Sequence, residues 1–155
     1  MDQQEFAERV TTVQGSLYRV AASYLRGESD RLDAVAEAIA KAWERRRTLR
    51  EEALFATWIT RILIRVCVDI QRRQKRVIPV YEIAEKPAED ERVAALREAI
   101  DSLPQKERTM IVLYYMEGYD VRESAKLMGT TKGAVCAGLA RAREKLRAYM
   151  EEDAR

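Results

Sequence analysis

The chain contains no histidine among its 155 residues. That removes histidine-based catalytic triads, imidazole general bases and imidazole metal ligands together. Cysteine is almost as scarce, with only Cys67 and Cys136 and no CxxC pair. A disulfide framework and a structural zinc site are therefore not expected, and the usage fits a reducing cytoplasm. Three prolines and six glycines stand against abundant Ala, Glu, Arg and Leu, a balance that favours helix. No apolar run approaches the ~18–20 residues of a membrane span, so no direct membrane insertion is expected. The opening MDQQEFAERV carries no apolar core of the secretory kind, so export is not expected either.

What is present reads as two small helical domains. Phe6, Val10, Val13, Leu17, Val20, Ala21 and Tyr24 recur at three- and four-residue spacing, which predicts a helix from Glu5 to about Leu25, bent near Gly15 and ended by Gly27. Ser29 or Asp30 can cap a second helix running to about Arg46, with Leu32, Val35, Ala36, Ile39, Ala42 and Trp43 as its apolar positions. A third helix is expected over roughly Glu52–Arg76, on the stripe Leu54, Phe55, Trp58, Ile59, Ile62, Leu63, Val66 and Ile70. From Val77 to Val93 the periodicity is lost amid Pro79, Pro87 and five acidic residues, the composition of a flexible linker. Four helices are then expected, near 92–101, 104–116, 121–128 and 132–151. Pro104 suits a helix's first turn, and Asp120 with Glu123 forms a capping-box pattern. Residues 1–80 carry 15 basic and 11 acidic side chains; residues 81–155 carry 13 and 15.

Two constellations carry chemistry. A helix-turn-helix needs a small residue where its helices touch, a glycine in the turn four residues on, and a branched apolar residue six further; Ala125, Gly129 and Val135 meet that spacing. Leu139, Ala142 and Leu146 continue the buried stripe. The opposite face would enter a major groove, with Thr130, Thr131 and Lys132 near the helix start and Cys136, Ala137 and Arg141 further along. Arg143, Lys145 and Arg147 add charge, although Glu144 is interleaved with them and a solvated charged face has the same composition. An ordinary helical hairpin with a glycine turn fits the three-residue pattern too. The second constellation is a pair of basic clusters, Arg45-Arg46-Arg47 and Arg72-Arg73-Gln74-Lys75-Arg76, bracketing one long helix. Such side chains bind phosphate without reading sequence. Trp43, Phe55 and Trp58 could stack on unpaired bases, but their helical spacing also suits a core.

Over roughly residues 5–150 the chain resembles the extracytoplasmic-function (ECF) group of sigma-70-type RNA polymerase sigma factors. The carriers are Asp33-Ala-Val-Ala-Glu37-Ala-Ile-Ala-Lys41-Ala-Trp43, then Phe55-Ala-Thr-Trp58-Ile-Thr-Arg61-Ile62 with Asp69 and Arg72-Arg73, then Leu103-Pro104, Val112-Leu113-Tyr114-Tyr115, Glu117-Gly118, Ala125, Gly129, Gly133, Val135, Leu139, Arg141-Ala142-Arg143 and Leu146. The resemblance implies an all-α protein without enzymatic activity, cofactor, metal or small-molecule substrate. It divides the chain into region 2 (1–76), a three- to four-helix bundle, a linker (77–93) and region 4 (94–155), a helix-turn-helix bundle. Its partners would be core RNA polymerase, promoter DNA and an anti-sigma factor. Asp33, Glu37, Ile39 and Lys41 would bind core polymerase. Arg47, Arg50, Arg61, Arg65, Arg72, Arg73, Lys75 and Arg76 would serve the minus-ten element. Thr130, Thr131, Lys132, Cys136, Ala137, Arg141 and Arg143 would serve the minus-thirty-five element.

The chain departs from that pattern at Ala36, where the family usually has Gln, and at Arg65, where it often has Asn. Cys136, Ala137 and Gly138 replace a basic residue, Ser and Arg, and Ala140 stands where a polar residue is common. Gly138 in mid-helix should also cost about 1 kcal/mol against Ala. Weak or altered minus-thirty-five binding is the expectation. A stand-alone helix-turn-helix regulator and a degenerate sigma-like protein that mainly engages a protein partner are the competing readings.

Overall fold

A computed structural model describes residues 1–75 and 90–153. Among them the regular structure is entirely helical, and no helix is long and apolar enough to cross a membrane. The chain divides into two compact units at Ile83–Ala84.

The first unit holds α1 (Gln3–Tyr24), α2 (Glu28–Glu44) and α3 (Phe55–Gln74), with short 3-10 turns at Arg46–Thr48 and Glu52–Leu54. Asp2 starts α1 with a complete capping box to Glu5, and α1 runs unbroken through Gly15. Gly27 does not end α1. Leu25 does so in extended conformation, while Gly27 is the N-cap of α2 without a side-chain bond. Asp30 is not the cap either; its carboxylate accepts from Gln74 Nε2, linking α2 to the end of α3.

The three helices close over Leu17, Val20 and Ala21 of α1, Ile59, Leu63, Val66 and Cys67 of α3, and a row of small residues on α2. That row corrects the sequence reading. Of the apolar positions read for α2, Val35 and Ala42 are buried, but Leu32, Ala36, Ile39 and Trp43 are not; the buried row is completed by Ala34 and Ala38 and lies about a quarter turn from the bulky Leu32, Ile39 and Trp43. Alanines let helix axes approach closely, so the small face packs inward. Leu32 is left 53% exposed, and Ile39 and Trp43 line the edge beside α1. Leu54, also assigned to a buried stripe, lies in the 3-10 turn and is exposed. The aromatics form one cluster, with Phe6 edge-on to Trp43 at 5.2 Å and to Phe55 at 5.8 Å, and Trp58 at 5.9 Å from Phe55.

The second unit holds α4 (Glu91–Asp101), α5 (Gln105–Ile111) continuing into a π-turn at Val112–Met116, α6 (Val121–Met128) and α7 (Lys132–Asp153). Residues 77–89 of the expected linker lie outside the described residues, but 90–93 do not belong to a linker. Asp90 accepts from the Arg92 amide and caps α4, so the helix begins where the acidic stretch was expected to continue. Pro104 is the N-cap of α5 rather than its first helical residue. Leu103, Met110, Ile111, Ala125, Val135, Leu139 and Ala142 make the core.

Asp120 and Glu123 form the expected capping box. Hydrogen bonding from the Glu123 amide is the main cause that holds the Asp120 carboxyl below its ordinary value of 3.8. A depressed pKa means the cap stabilises α6 above the ordinary value and is lost as pH falls through the lower, folded one. Melting curves of the wild type and Asp120→Ala are therefore expected to differ at neutral pH and to converge in strong acid. A gap that persisted undiminished at pH 2 would contradict the cap's ionic character.

Candidate nucleic-acid and polymerase interfaces

The helix-turn-helix spacing is realised. Ala125 is buried between α6 and α7, Gly129 turns the chain at φ 65°, and Val135 is fully buried. A left-handed φ is strained for any residue with a Cβ, which is why glycine stands at this position. The Thr130 amide donates to the Ala125 carbonyl at 2.9 Å and completes the turn. Thr131 then starts α7, its hydroxyl accepting from the Ala134 amide at 3.1 Å. Thr130, Thr131 and Lys132 are all exposed at this end, as the sequence predicted.

Further along α7 the candidates separate. Arg141 and Arg143 are two residues apart, a step of about 200°, and so lie on opposite edges of the exposed face. On the α5 side, Arg141 Nε approaches Glu107 Oε1 at 3.4 Å and Lys145 Nζ reaches both Glu107 oxygens at 2.9 and 3.0 Å. On the other side, Arg143 Nε donates to the Tyr115 hydroxyl at 2.5 Å, and its guanidinium lies 5.5 Å from the Tyr115 ring centre. Between these edges the solvent face presents Gly133, Cys136, Ala137, Ala140 and Glu144, which offer no strong side-chain donor, and then Arg147, an exposed cation further along the same face. Gly138, grouped with that face in the sequence reading, is buried. A Cβ there would come within 2.2 Å of Met110 Sδ, so the glycine makes room for α5.

In the first unit Arg61, Arg65 and Arg72 share one exposed stripe of α3, spaced four and seven residues apart over about 16 Å. Among the described residues none of the three has an ion-pair partner, so the alternative of an internal salt bridge for Arg61 is not realised. Arg73 is exposed about 100° to one side of the stripe, and Lys75 is exposed just beyond the helix. Arg76 lies outside the described residues. Arg47 and Arg50 are exposed in the segment between α2 and α3. Sequence reasoning missed what holds that segment. Arg46 lies 3.7 Å over the Trp43 ring and donates to the Trp43 carbonyl at 2.8 Å. Arg9 of α1 donates to the Glu52 carbonyl at 3.0 Å and to its carboxylate at 2.6 Å. Contacts 43 residues apart leave no local pattern to read.

On α2, Asp33 and Glu37 stand on one exposed face, with Glu37 bridging to Lys41 at 3.2 Å. Ile39 is not with them. It joins Phe6, Val10, Ala40 and Trp43 around a groove of about 440 Å³ between α1 and α2. Of the aromatic rings suggested as base-stacking platforms Phe55 is core, at 4% exposed, whereas Trp43 and Trp58 are half-buried.

Burial pushes the Cys67 thiol up to about 12, whereas Cys136 is exposed on α7. One thiol is expected to react rapidly with a disulfide reagent in the native protein and a second only on unfolding. Two fast equivalents would contradict the packing around Cys67.

Comparison with known proteins covers both units. A family model for sigma-70 region 2 matches residues 10–77, and one for sigma-70 region 4 matches residues 94–146. The RNA polymerase sigma factor SigV of Bacillus subtilis (strain 168) is 31% identical over 149 residues, covering 93% of this chain and 90% of that protein. The ECF RNA polymerase sigma factor SigM of Mycobacterium tuberculosis (strain H37Rv) is 31% identical over 135 residues, covering 84% and 69%. Among solved structures, CnrH in complex with the cytosolic domain of CnrY aligns at a TM-score of 0.73 with 25% identity, over 98% of this chain and 91% of that one. The sigma factor RpoE in complex with the anti-sigma factor NepR from Bartonella quintana aligns at 0.82 over 96% and 98%, and at 20% identity it shares the fold.

Proposed function

The chain belongs to the ECF group of sigma-70-type RNA polymerase sigma factors, and from that premise we propose that its first unit binds core polymerase and the minus-ten strand while its second docks on upstream duplex. The observation that carries this division is the cation stripe of α3, unpaired among the described residues, whereas Arg9, Arg46 and Lys41 of the same unit are engaged in holding the fold. Three exposed guanidiniums on one face form a track for a phosphate backbone. The neighbouring Arg47 and Arg50, on a segment anchored by Arg9 and Trp43, stand where an extruded base would be met. The exposed carboxylates of Asp33 and Glu37 form the polymerase-binding face of α2.

Such a protein catalyses no covalent step. It lowers the cost of opening the duplex at chosen sites, and the polymerase does the chemistry. The complexed states of CnrH and the Bartonella RpoE support an anti-sigma partner for this chain too, and a cytoplasmic location belongs to the same reading. The donor-poor first turns of α7's solvent face favour a variant of it in which minus-thirty-five contacts are mostly to phosphate. Single-base substitutions across that element should then alter transcription little.

Co-elution with core RNA polymerase tests the assignment. Stoichiometric binding, weakened by Glu37→Ala, is the expected result. Absence of binding at near-physiological salt would reject a working initiation factor and move the stand-alone regulator ahead.

A further inference from the structure

Glu107 is a carboxylate whose side chain is 9% exposed, set in the first turn of α5 and facing α7. A buried carboxylate has to be compensated, and here two cations from one edge of α7 do so, Lys145 through both oxygens and Arg141 through one. Those cations are not themselves buried: the Arg141 and Lys145 side chains are 60% and 49% exposed. They can reach a phosphate but already face an opposite charge. The approach that makes this possible is built into both helices. Gly138 leaves the notch that Met110 fills, one turn from Arg141 and two from Lys145, and Met110 follows Glu107 by three residues on the same face of α5.

We infer that Glu107 is a counter-ion that limits the grip of the duplex-binding helix, withholding Arg141 and Lys145 from sequence-indifferent phosphate contact. The inference rests on the reading of α7 as the helix that meets duplex DNA. Without Glu107, α7 would carry two uncompensated cations along one edge and would hold any duplex. With it, the free positive charge at the start of the helix is Lys132, beside the hydroxyls of Thr130 and Thr131. Glu107 is thus a positioning residue, acting on DNA through its two partners.

The test is fluorescence anisotropy of the full chain on a random-sequence DNA duplex across a salt series. Glu107→Gln keeps the shape and one acceptor oxygen but removes the charge. Binding is expected to tighten roughly eightfold at 0.1 M salt for each cation released, with the log–log salt slope steeper by about 0.9 each. Arg141→Gln is expected to remove part of that gain in the Glu107→Gln background and to cost several-fold less affinity in the wild-type background. An unchanged slope in a folded Glu107→Gln chain would overturn the inference, and so would weaker binding, which would mean the carboxylate aims the cations at DNA. Should Glu107→Gln not fold, Arg141→Gln and Lys145→Gln decide alone: a loss beyond fivefold from either shows that cation already on phosphate and overturns the inference. Co-elution with core polymerase is scored separately, so failure of the sigma assignment and failure of the counter-ion role give different results.

Discussion

Replacing Arg61, Arg65 and Arg72 together by Gln is expected to weaken binding of a single-stranded minus-ten oligonucleotide by about a hundredfold at 0.1 M salt. The magnitude follows from counterion release. On single strands each neutralised phosphate contributes about 0.7 to the log–log salt slope, so three contacts make a slope near 2 and a factor near 10² at that concentration. The fold should not suffer, because all three side chains are exposed and, among the described residues, unpaired. The measurement is oligonucleotide affinity across a salt series with the variant bound to core polymerase, beside a thermal melt. A flattened slope with unchanged melting is the expected signature. Equal slopes for variant and wild type would show that the stripe does not face the strand. Arg73→Gln, about 100° off the stripe, should cost distinctly less than any one of the three.

The largest effect on stability is expected from Leu139→Ala. Leu139 is 1% exposed at the centre of the second core, among Leu103, Met110, Ile111, Ala125, Val135 and Ala142. Truncating such a leucine removes burial and leaves a cavity, about 2–5 kcal/mol together. A unit of this size is stable by only about 3–10 kcal/mol, so the loss is comparable to the whole. The second unit should melt roughly 10–30 °C earlier or be unfolded at ambient temperature. Co-elution with core polymerase through α2 should persist, because the first unit has its own core. Circular dichroism melts and polymerase binding on the same variant check both parts. A single unshifted transition would show that the core tolerates the cavity. Leu139→Met, which keeps the volume, should cost less than about 1.5 kcal/mol.

Much of this was legible in the residues. The capping box at Asp120, the helix-turn-helix trio and the span of α6 all came from local rules, in which partners lie within a few positions of each other. The reading failed where hydrophobicity and packing diverge. On α2 the bulkiest apolar residues form the rim and alanines make the contact, because close helix approach selects small side chains over the most hydrophobic ones. Gly138 looked like a defect in a DNA-reading face, and it is the notch that admits Met110.

Periodicity, spacing and composition were enough for the helical class, the two units and the candidate cations, and the resemblance of several motifs in order pointed to the family. Which cations are available is a matter of packing across the chain. Among the described residues Arg61, Arg65 and Arg72 are unpaired on their stripe, while Glu107 holds Arg141 and Lys145 and Tyr115 holds Arg143. Charge is a property of a residue, but its compensation depends on what lies opposite. For Arg141 and Arg143 that partner is 34 and 28 positions away in the chain, beyond any local pattern.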